Sequence, residues 1–184
     1  MGQTVKKIKE TLPSLRQPRR DQGVFISYSH KDRYIALPLF ERLCSAGIPV
    51  WIDDQELDDG DEFKERITNA INTCRVFLPI LSNNIREQIT SGTMKEQWYY
   101  ENEWILINTR YNDEKKQLEE IRKLRHDESS QPRLSFKTIP FVVGDYNYTK
   151  EYHKELPDCI KNASINDTFI LAKDRIEHLI ETIH

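Results

Sequence analysis

Long apolar runs, paired cysteines and glycine-rich motifs are all scarce in this chain of 184 residues. No apolar run approaches the roughly 18–20 residues that a membrane-spanning helix needs, and the N-terminus lacks the apolar core of a signal peptide. With only six glycines, the sequence contains neither a GxGxxG motif nor a P-loop. We therefore expect no membrane partner and neither of these two phosphate-binding loops.

The cysteines, histidines and net charge argue against a disulfide framework, a metal site and a nucleic-acid partner. Cys44, Cys74 and Cys159 are odd in number and show no CxxC spacing, which favours buried thiols in a reducing, cytoplasmic compartment. The five histidines show no metal-ligand spacing with one another or with the cysteines, so no metal site is expected. A formal net charge of −3 gives no electrostatic reason to expect nucleic acid as a partner.

Two regions differ in composition. Residues 1–22 hold six basic residues and two prolines, which predicts a basic flexible tail, with a basic arm for a partner as the alternative. In residues 23–184, short apolar runs alternate with amphipathic helical patterns, which predicts one α/β domain. The predicted strands are Val24–Tyr28, Ile48–Ile52, Val76–Leu81, Ile139–Val143 and Thr168–Leu171.

This alternation predicts a five-stranded parallel sheet with helices on both faces, a flavodoxin-like three-layer sandwich of strand order 2-1-3-4-5. The switch point of such a sheet lies between strands one and three. A ligand crevice is therefore expected between residues 28–32, which follow the first strand, and Ser82, which follows the third. Asp32 is predicted to cap the next helix.

Two helices are predicted after the third strand, at Trp98–Asn108 and at Asp113–Glu128, the second as a solvated, peripheral one. The first lies beside the expected crevice. Its residues Tyr99 and Glu103 are four apart and share a helix face. An aromatic ring one turn before a carboxylate suits a ligand with a flat ring and sugar hydroxyls. The alternative is ordinary core packing by the ring and a solvated glutamate.

Four segments follow the strand pattern in order: FISYSHKD (Phe25–Asp32), WIDDQELDDGDEF (Trp51–Phe63), FLPILS (Phe77–Ser82), and IPFVV (Ile139–Val143) with the DYNYTKEYHKELP that follows. Together, in this order, they resemble a TIR domain, the Toll/interleukin-1 receptor and resistance-protein module. The resemblance covers the chain from about Asp21 onward. The FISYSHKD opening is more similar to bacterial members than to animal ones.

The resemblance implies an activity and a site. NAD-cleaving TIR domains carry a catalytic glutamate on the helix after the third strand, and Tyr99, Glu103 and Trp104 match that pattern. Glu103 is therefore the implied catalytic residue. Glu101 is the alternative if the family pattern aligns differently with this helix. The implied substrate-binding residues are Tyr28, Ser29, His30, Ser82 and Tyr99.

The acidic loop after the second strand is implied to be an assembly element, completing the site of a neighbouring protomer. Its residues are Asp53, Asp54, Glu56, Asp58, Asp59 and Asp61. Asp53 and Asp54 are similar to the metal-binding acidic pair of receiver domains, but they follow the second strand where receiver domains have the first, so a metal is not expected.

The implied function is a NAD+ nucleosidase that is active on self-association, as a homo-oligomer or filament, in bacterial anti-phage defence. NAD+ is then a substrate, and no cofactor is expected. The product, linear or cyclic ADP-ribose, is left open, as is a fused or separate sensor domain. The alternative is a TIR adaptor or effector module that only binds other TIR domains in signalling.

Overall fold

A computed structural model describes residues 23–52, 61–91, 98–124, 133–143, 154, 156–163 and 172–183. Its strands are β1 Val24–Ser27, β2 Val50–Ile52, β3 Val76–Leu81, β4 Lys137–Thr138 and β5 Phe141–Val142. Its helices are α1 Arg33–Ser45, α2 Asp61–Thr73, α3 Asn83–Ser91, α4 Trp98–Leu124, α5 Asp158–Lys161 and α6 Ala172–Ile183. A short 3₁₀ turn at His30–Asp32 precedes α1.

The strands form a parallel sheet of order β2-β1-β3-β4, with β5 also paired to β3. The predicted α/β fold and the order of its first four strands are therefore confirmed. The expected fourth strand, Ile139–Val143, contains β5, whereas β4 precedes it at Lys137–Thr138; the two short strands follow one another along β3. The fifth predicted strand, Thr168–Leu171, lies outside the described residues.

Two prolines lie where the fourth strand is divided: Pro140, between β4 and β5, and Pro79 of β3, between the residues that pair with β4 and those that pair with β5. The carbonyls of Phe77 and Leu81 accept hydrogen bonds from the amides of Ile139 and Val143, at 2.9 and 2.8 Å. In a parallel strand, alternate residues face the same neighbour, so Pro79 also faces this side. Proline has no N–H to donate, and the ladder is interrupted there.

Alternation along the strands divides the core between two faces of the sheet. Val24 and Ile26 of β1 lie in the cluster that includes α1 and α6, whereas Phe25 lies in the cluster that includes α2 and α4. β3 repeats the pattern and is buried along its whole length. The apolar composition of β1 and β3 follows from this burial on both faces.

Helix α1 ends, as predicted, at Ala46 and Gly47. The amide of Gly47 donates to the carbonyl of Cys44, and the amide of Ile48 donates to that of Leu43, at 3.0 and 3.1 Å. This is the Schellman arrangement, and it needs the positive φ of 79° that Gly47 adopts. Leu43 and Ile48 pack in the same cluster, so the turn directs the chain into β2.

The two helices predicted after the third strand are a single helix, α4, of 27 residues and a length of about 40 Å. Its first half packs on the sheet through Trp104 and Ile107, both nearly inaccessible to solvent. Its second half is exposed at most positions from Asn112 to Lys123, as its charge predicted. Among the described residues, no helix has the length and apolar character needed to cross a bilayer.

Helix α4 is tied to the amino edge of the sheet by Arg110, whose side chain is 13% exposed. Its guanidinium donates to the carbonyls of Ile71 and Cys74 at the end of α2, at 2.7 and 3.0 Å. It also donates to Ser135 Oγ before β4, at 2.8 Å, and to Glu114 Oε1, at 3.0 Å. One cation therefore joins three segments of the chain.

The three cysteines are free thiols. Burial raises the pKa of Cys74 to about 11 and that of Cys159 to about 12, because a thiolate loses hydration in the core. Burial also raises the pKa of the half-buried Cys44. Such thiols behave as small apolar residues.

Candidate functional site

Six polar or charged side chains are buried among the described residues, and all six lie at the carboxyl edge of β1 and β3 or on the helices that follow β3. They are Ser27, Ser29, Asp32, Ser82, Gln88 and Glu103. Burying polar groups costs free energy unless they find hydrogen-bond partners. Each of the six has a partner within this set, and together they form three pairs across the switch point of the sheet.

The first pair joins Ser27 and Glu103. Ser27 is the last residue of β1, and alternation directs its side chain, like that of Phe25, toward α4. The hydroxyl of Ser27 donates to Glu103 Oε2 at 2.5 Å, and the two residues are 0% and 3% exposed. A charge-assisted hydrogen bond of this kind is short and strong. The carboxylate of Glu103 is thus held against the end of β1.

The second pair joins Ser29 and Gln88. The amide nitrogen of Gln88, on α3, donates to Ser29 Oγ at 3.0 Å, and both side chains are buried. Ser29 is two residues after Ser27, so the chain leaving β1 holds α4 and then α3 in succession. The end of β1 is therefore the common support of both helices.

The third pair is centred on Asp32, which is 0% exposed. Ser82 Oγ donates to Asp32 Oδ2 at 2.5 Å, and Asn84 Nδ2 donates to Oδ1 at 2.6 Å. Ser82 Oγ also accepts the amide of Ile85 at 3.3 Å, which caps the N-terminus of α3. The prediction that Asp32 caps α1 is wrong, because its side chain makes no capping bond there and is turned toward Ser82 and Asn84.

A shallow polar depression of about 410 Å³ opens beside these pairs, between the 3₁₀ turn and α3. It is lined by Lys31, Glu87, Gln88, Thr90 and Ser91. Among the described residues, no group of three or more histidines, cysteines and carboxylates is arranged to hold a metal. The charged and hydroxyl side chains suit a polar ligand at this edge.

The structure brings Glu103 to the end of β1 but separates it from some of the residues predicted with it. Tyr28 is buried in the cluster on the opposite face, where its ring lies 6.3 Å from that of the exposed His30. Ser29 and Ser82 lie at the switch point, each committed to a buried partner. Their roles toward a substrate stay predictions.

The remaining predicted residues cannot be placed at the level of side chains. Tyr99 belongs to α4 and Asp61 is the first residue of α2, but their side chains lie outside the described part of the structure. The other acidic residues of the predicted assembly loop also lie outside the described residues: Asp53, Asp54, Glu56, Asp58 and Asp59.

Sequence reasoning missed Ser27, Asn84 and Gln88. One signal pointed to Ser27, since it is a polar residue in an otherwise apolar strand and shares the face of Phe25. No comparable signal pointed to Asn84 or Gln88, because a polar residue on a short helix is usually solvated. Only the packing of α3 on the end of β1 buries Gln88.

Comparisons with known proteins agree with this fold. A family model described as a TIR domain matches residues 24–160. The TIR domains of the activated Roq1 resistosome, which directly recognizes the pathogen effector XopQ, share 17% identity with a TM-score of 0.50; the match covers 89% of this chain and 99% of that one. A prokaryotic SEFIR domain shares 19% identity over 88% of this chain and 92% of its own, with a TM-score of 0.45. No curated protein matches the chain.

Proposed function

Since the chain belongs to the TIR domain family, we propose that it is a NAD+ nucleosidase that releases nicotinamide and leaves linear or cyclic ADP-ribose. The observation that carries this proposal is the position of Glu103. Its carboxylate is held at the carboxyl edge of the sheet, beside the switch point, where ligands of such folds bind.

The reaction needs an ionised carboxylate to stabilise positive charge more than it needs a general acid to donate a proton. When the bond between ribose C1′ and the nicotinamide nitrogen breaks, its electron pair leaves with the ring, which becomes neutral. The ribose is left as an oxocarbenium-like cation, as in glycoside hydrolysis. Water then adds to C1′ and loses a proton, or a nitrogen of the adenine closes a cyclic product. Glu103 would bind the ribose hydroxyls and stabilise the developing positive charge.

The proposal extends to the setting in which the enzyme acts. Tyr28, Ser29, His30, Ser82 and Tyr99 would contact the substrate, and the acidic loop of residues 53–61 would complete the site of a neighbouring copy. The protein would then be active as a homo-oligomer or filament in the cytoplasm, in a bacterial-type, anti-phage defence response.

The burial of Glu103 favours a second candidate function, a TIR module that only binds other TIR domains. A glutamate that is 3% exposed and bonded to Ser27 can also act as a structural tie between α4 and β1. The two functions differ in whether NAD+ is consumed at any protein concentration.

The deciding experiment incubates NAD+ with the full chain over a range of protein concentrations and separates nicotinamide, ADP-ribose and cyclic ADP-ribose by chromatography. We expect the Glu103→Gln variant to lose activity on the order of 10²–10³-fold, as when other electrostatic stabilisers of a transition state are removed. Glu119→Gln is the matched control, because Glu119 is exposed on the same helix.

Two results would contradict the proposal. NAD+ that stays intact at every concentration, together with self-association, supports the second candidate function. Full activity in Glu103→Gln combined with a loss in Glu101→Gln moves the site by half a helical turn. Thermal unfolding of each variant separates loss of chemistry from loss of fold.

A further inference from the structure

Ser27 occupies a position at which an apolar residue would be expected. It ends a strand that is buried on both faces, and the residues before it, Val24–Ile26, are all apolar. Its register partner on β3 is Pro79, which has neither a hydroxyl nor an amide hydrogen to offer. A buried hydroxyl in such surroundings needs a partner, and Ser27 donates to Glu103.

The geometry of this contact constrains Glu103. The hydrogen bond joins Ser27 Oγ to one named carboxylate oxygen, Oε2, at 2.5 Å across 76 residues of sequence. β1 is the strand between β2 and β3, so its last residue is among the best-supported points of the sheet. A glutamate side chain has three rotatable bonds, and a fixed donor at its end selects one orientation of the carboxylate.

From these observations we infer that Ser27 is a positioning residue for the proposed reaction. It acts through Glu103, by holding the carboxylate in the orientation that meets the ribose, and it does not touch the substrate. This inference rests on the proposed function. A positioning role of this kind lowers kcat more than it raises KM, since the misplaced group acts in the transition state.

Two substitutions at Ser27 separate positioning from packing. Ser27→Ala removes the donor and changes the volume little, whereas Ser27→Thr keeps the hydroxyl and adds a methyl group to a site with no exposure. For Ser27→Ala we expect kcat to fall on the order of 10- to 100-fold, as a hydrogen bond to a charged group implies, with little change in KM. Ser27→Thr should keep most of the kcat although it unfolds at a lower temperature.

The assay uses the full chain at one fixed protein concentration, with sedimentation to confirm equal self-association and with rates normalised to folded protein. Ser45→Ala is the matched control, because Ser45 is exposed at the end of α1 and donates only to the carbonyl of Glu41. If Ser27→Thr does not fold, Ser27→Cys takes its place. Its weak S–H donor should give a kcat between those of the wild type and Ser27→Ala.

Each outcome decides a separate point. Wild-type kcat in Ser27→Ala, or a greater loss of kcat in Ser27→Thr than in Ser27→Ala, overturns the positioning role and leaves the proposed function standing. A wild-type chain that leaves NAD+ intact overturns both the function and the part of Ser27 in it. A kcat that is kept in Ser27→Thr and lost in Ser27→Ala supports the inference.

Discussion

The two edges of the sheet both attach α4 through hydrogen bonds, but they differ in how they use charge. At the amino edge, Arg110 is paired with Glu114 and also donates to backbone carbonyls, and both side chains keep some contact with water. At the carboxyl edge, Glu103 and Asp32 are buried and receive hydrogen bonds from neutral hydroxyl and amide groups.

The two edges therefore differ in the free-energy cost of the charges that they bury. A cation with a carboxylate beside it, partly solvated, is a structural clamp of modest strength. Burying a carboxylate costs more free energy, and buried ionisable groups are frequent at functional sites. The predictions below test this contrast, beginning with the largest expected effect on stability.

Asp32→Ala should lower the free energy of unfolding by about 3 kcal/mol, because it removes the acceptor of the buried hydroxyl of Ser82 and of the partly buried amide of Asn84. Urea unfolding followed by circular dichroism measures this change. Asp113→Ala, at an exposed position of α4, is the control and should stay within about 0.5 kcal/mol of wild type. Equal losses in the two variants would show that the carboxyl edge contributes nothing special to stability.

Arg110→Met should lower the free energy of unfolding by about 2 kcal/mol, because the carbonyls of Ile71 and Cys74 lose a charged donor that is partly screened by solvent. If the amino edge is only structural, kcat for NAD+ per folded molecule stays at the wild-type value. Arg122→Met, in the exposed last turn of α4, is the control. A loss of kcat at full stability would break the contrast between the edges.

Glu114 should contribute least to the free energy of unfolding, and its contribution should depend on pH. Burial tends to raise its pKa, but hydrogen bonds from Ser135 and from Arg110 outweigh burial and lower the pKa below the usual 4.5. A carboxylate with a lowered pKa stabilises the fold above its unfolded pKa, and this contribution disappears as pH falls through the folded value.

The measurement compares unfolding free energies of wild type and Glu114→Gln from pH 7 downward. Their difference should shrink as pH falls below about 4.5, the usual pKa of this group. Glu119→Gln, exposed on the same helix, serves as the control for general acid effects. A difference that is constant over this range would contradict the assignment of the clamp to a charged Glu114.

Much of the fold could be predicted because it depends on local patterns. The uninterrupted apolar run of β3 and the Ala46-Gly47 end of α1 are both read from neighbouring residues, and both are confirmed. The fourth strand was predicted less well. The segment itself contains Pro140, between β4 and β5. The second proline at the division, Pro79, belongs to the adjacent strand, and its effect on the ladder depends on the pairing of the two strands.

The candidate site shows the same limit. Glu103 was chosen from its helix and from the resemblance to TIR domains, but its hydrogen-bond partner lies 76 residues earlier in the chain. Asp32 was predicted to cap α1 because a local role was the one that local sequence could suggest. Its actual partners, Ser82 and Asn84, become neighbours only when β1 and β3 pair side by side.

The sequence by itself determined that apolar strands would be covered on both faces by helices. Apolar burial and the periods of helix and strand follow from the pattern of neighbouring residues. The sequence also favoured free thiols over a disulfide framework and contained neither of the two common phosphate-loop motifs. Only the tertiary structure decided that six polar side chains would be buried together at one edge. That outcome depends on pairing between distant segments, because each buried hydroxyl or carboxylate requires a partner that only the packed sheet brings within reach.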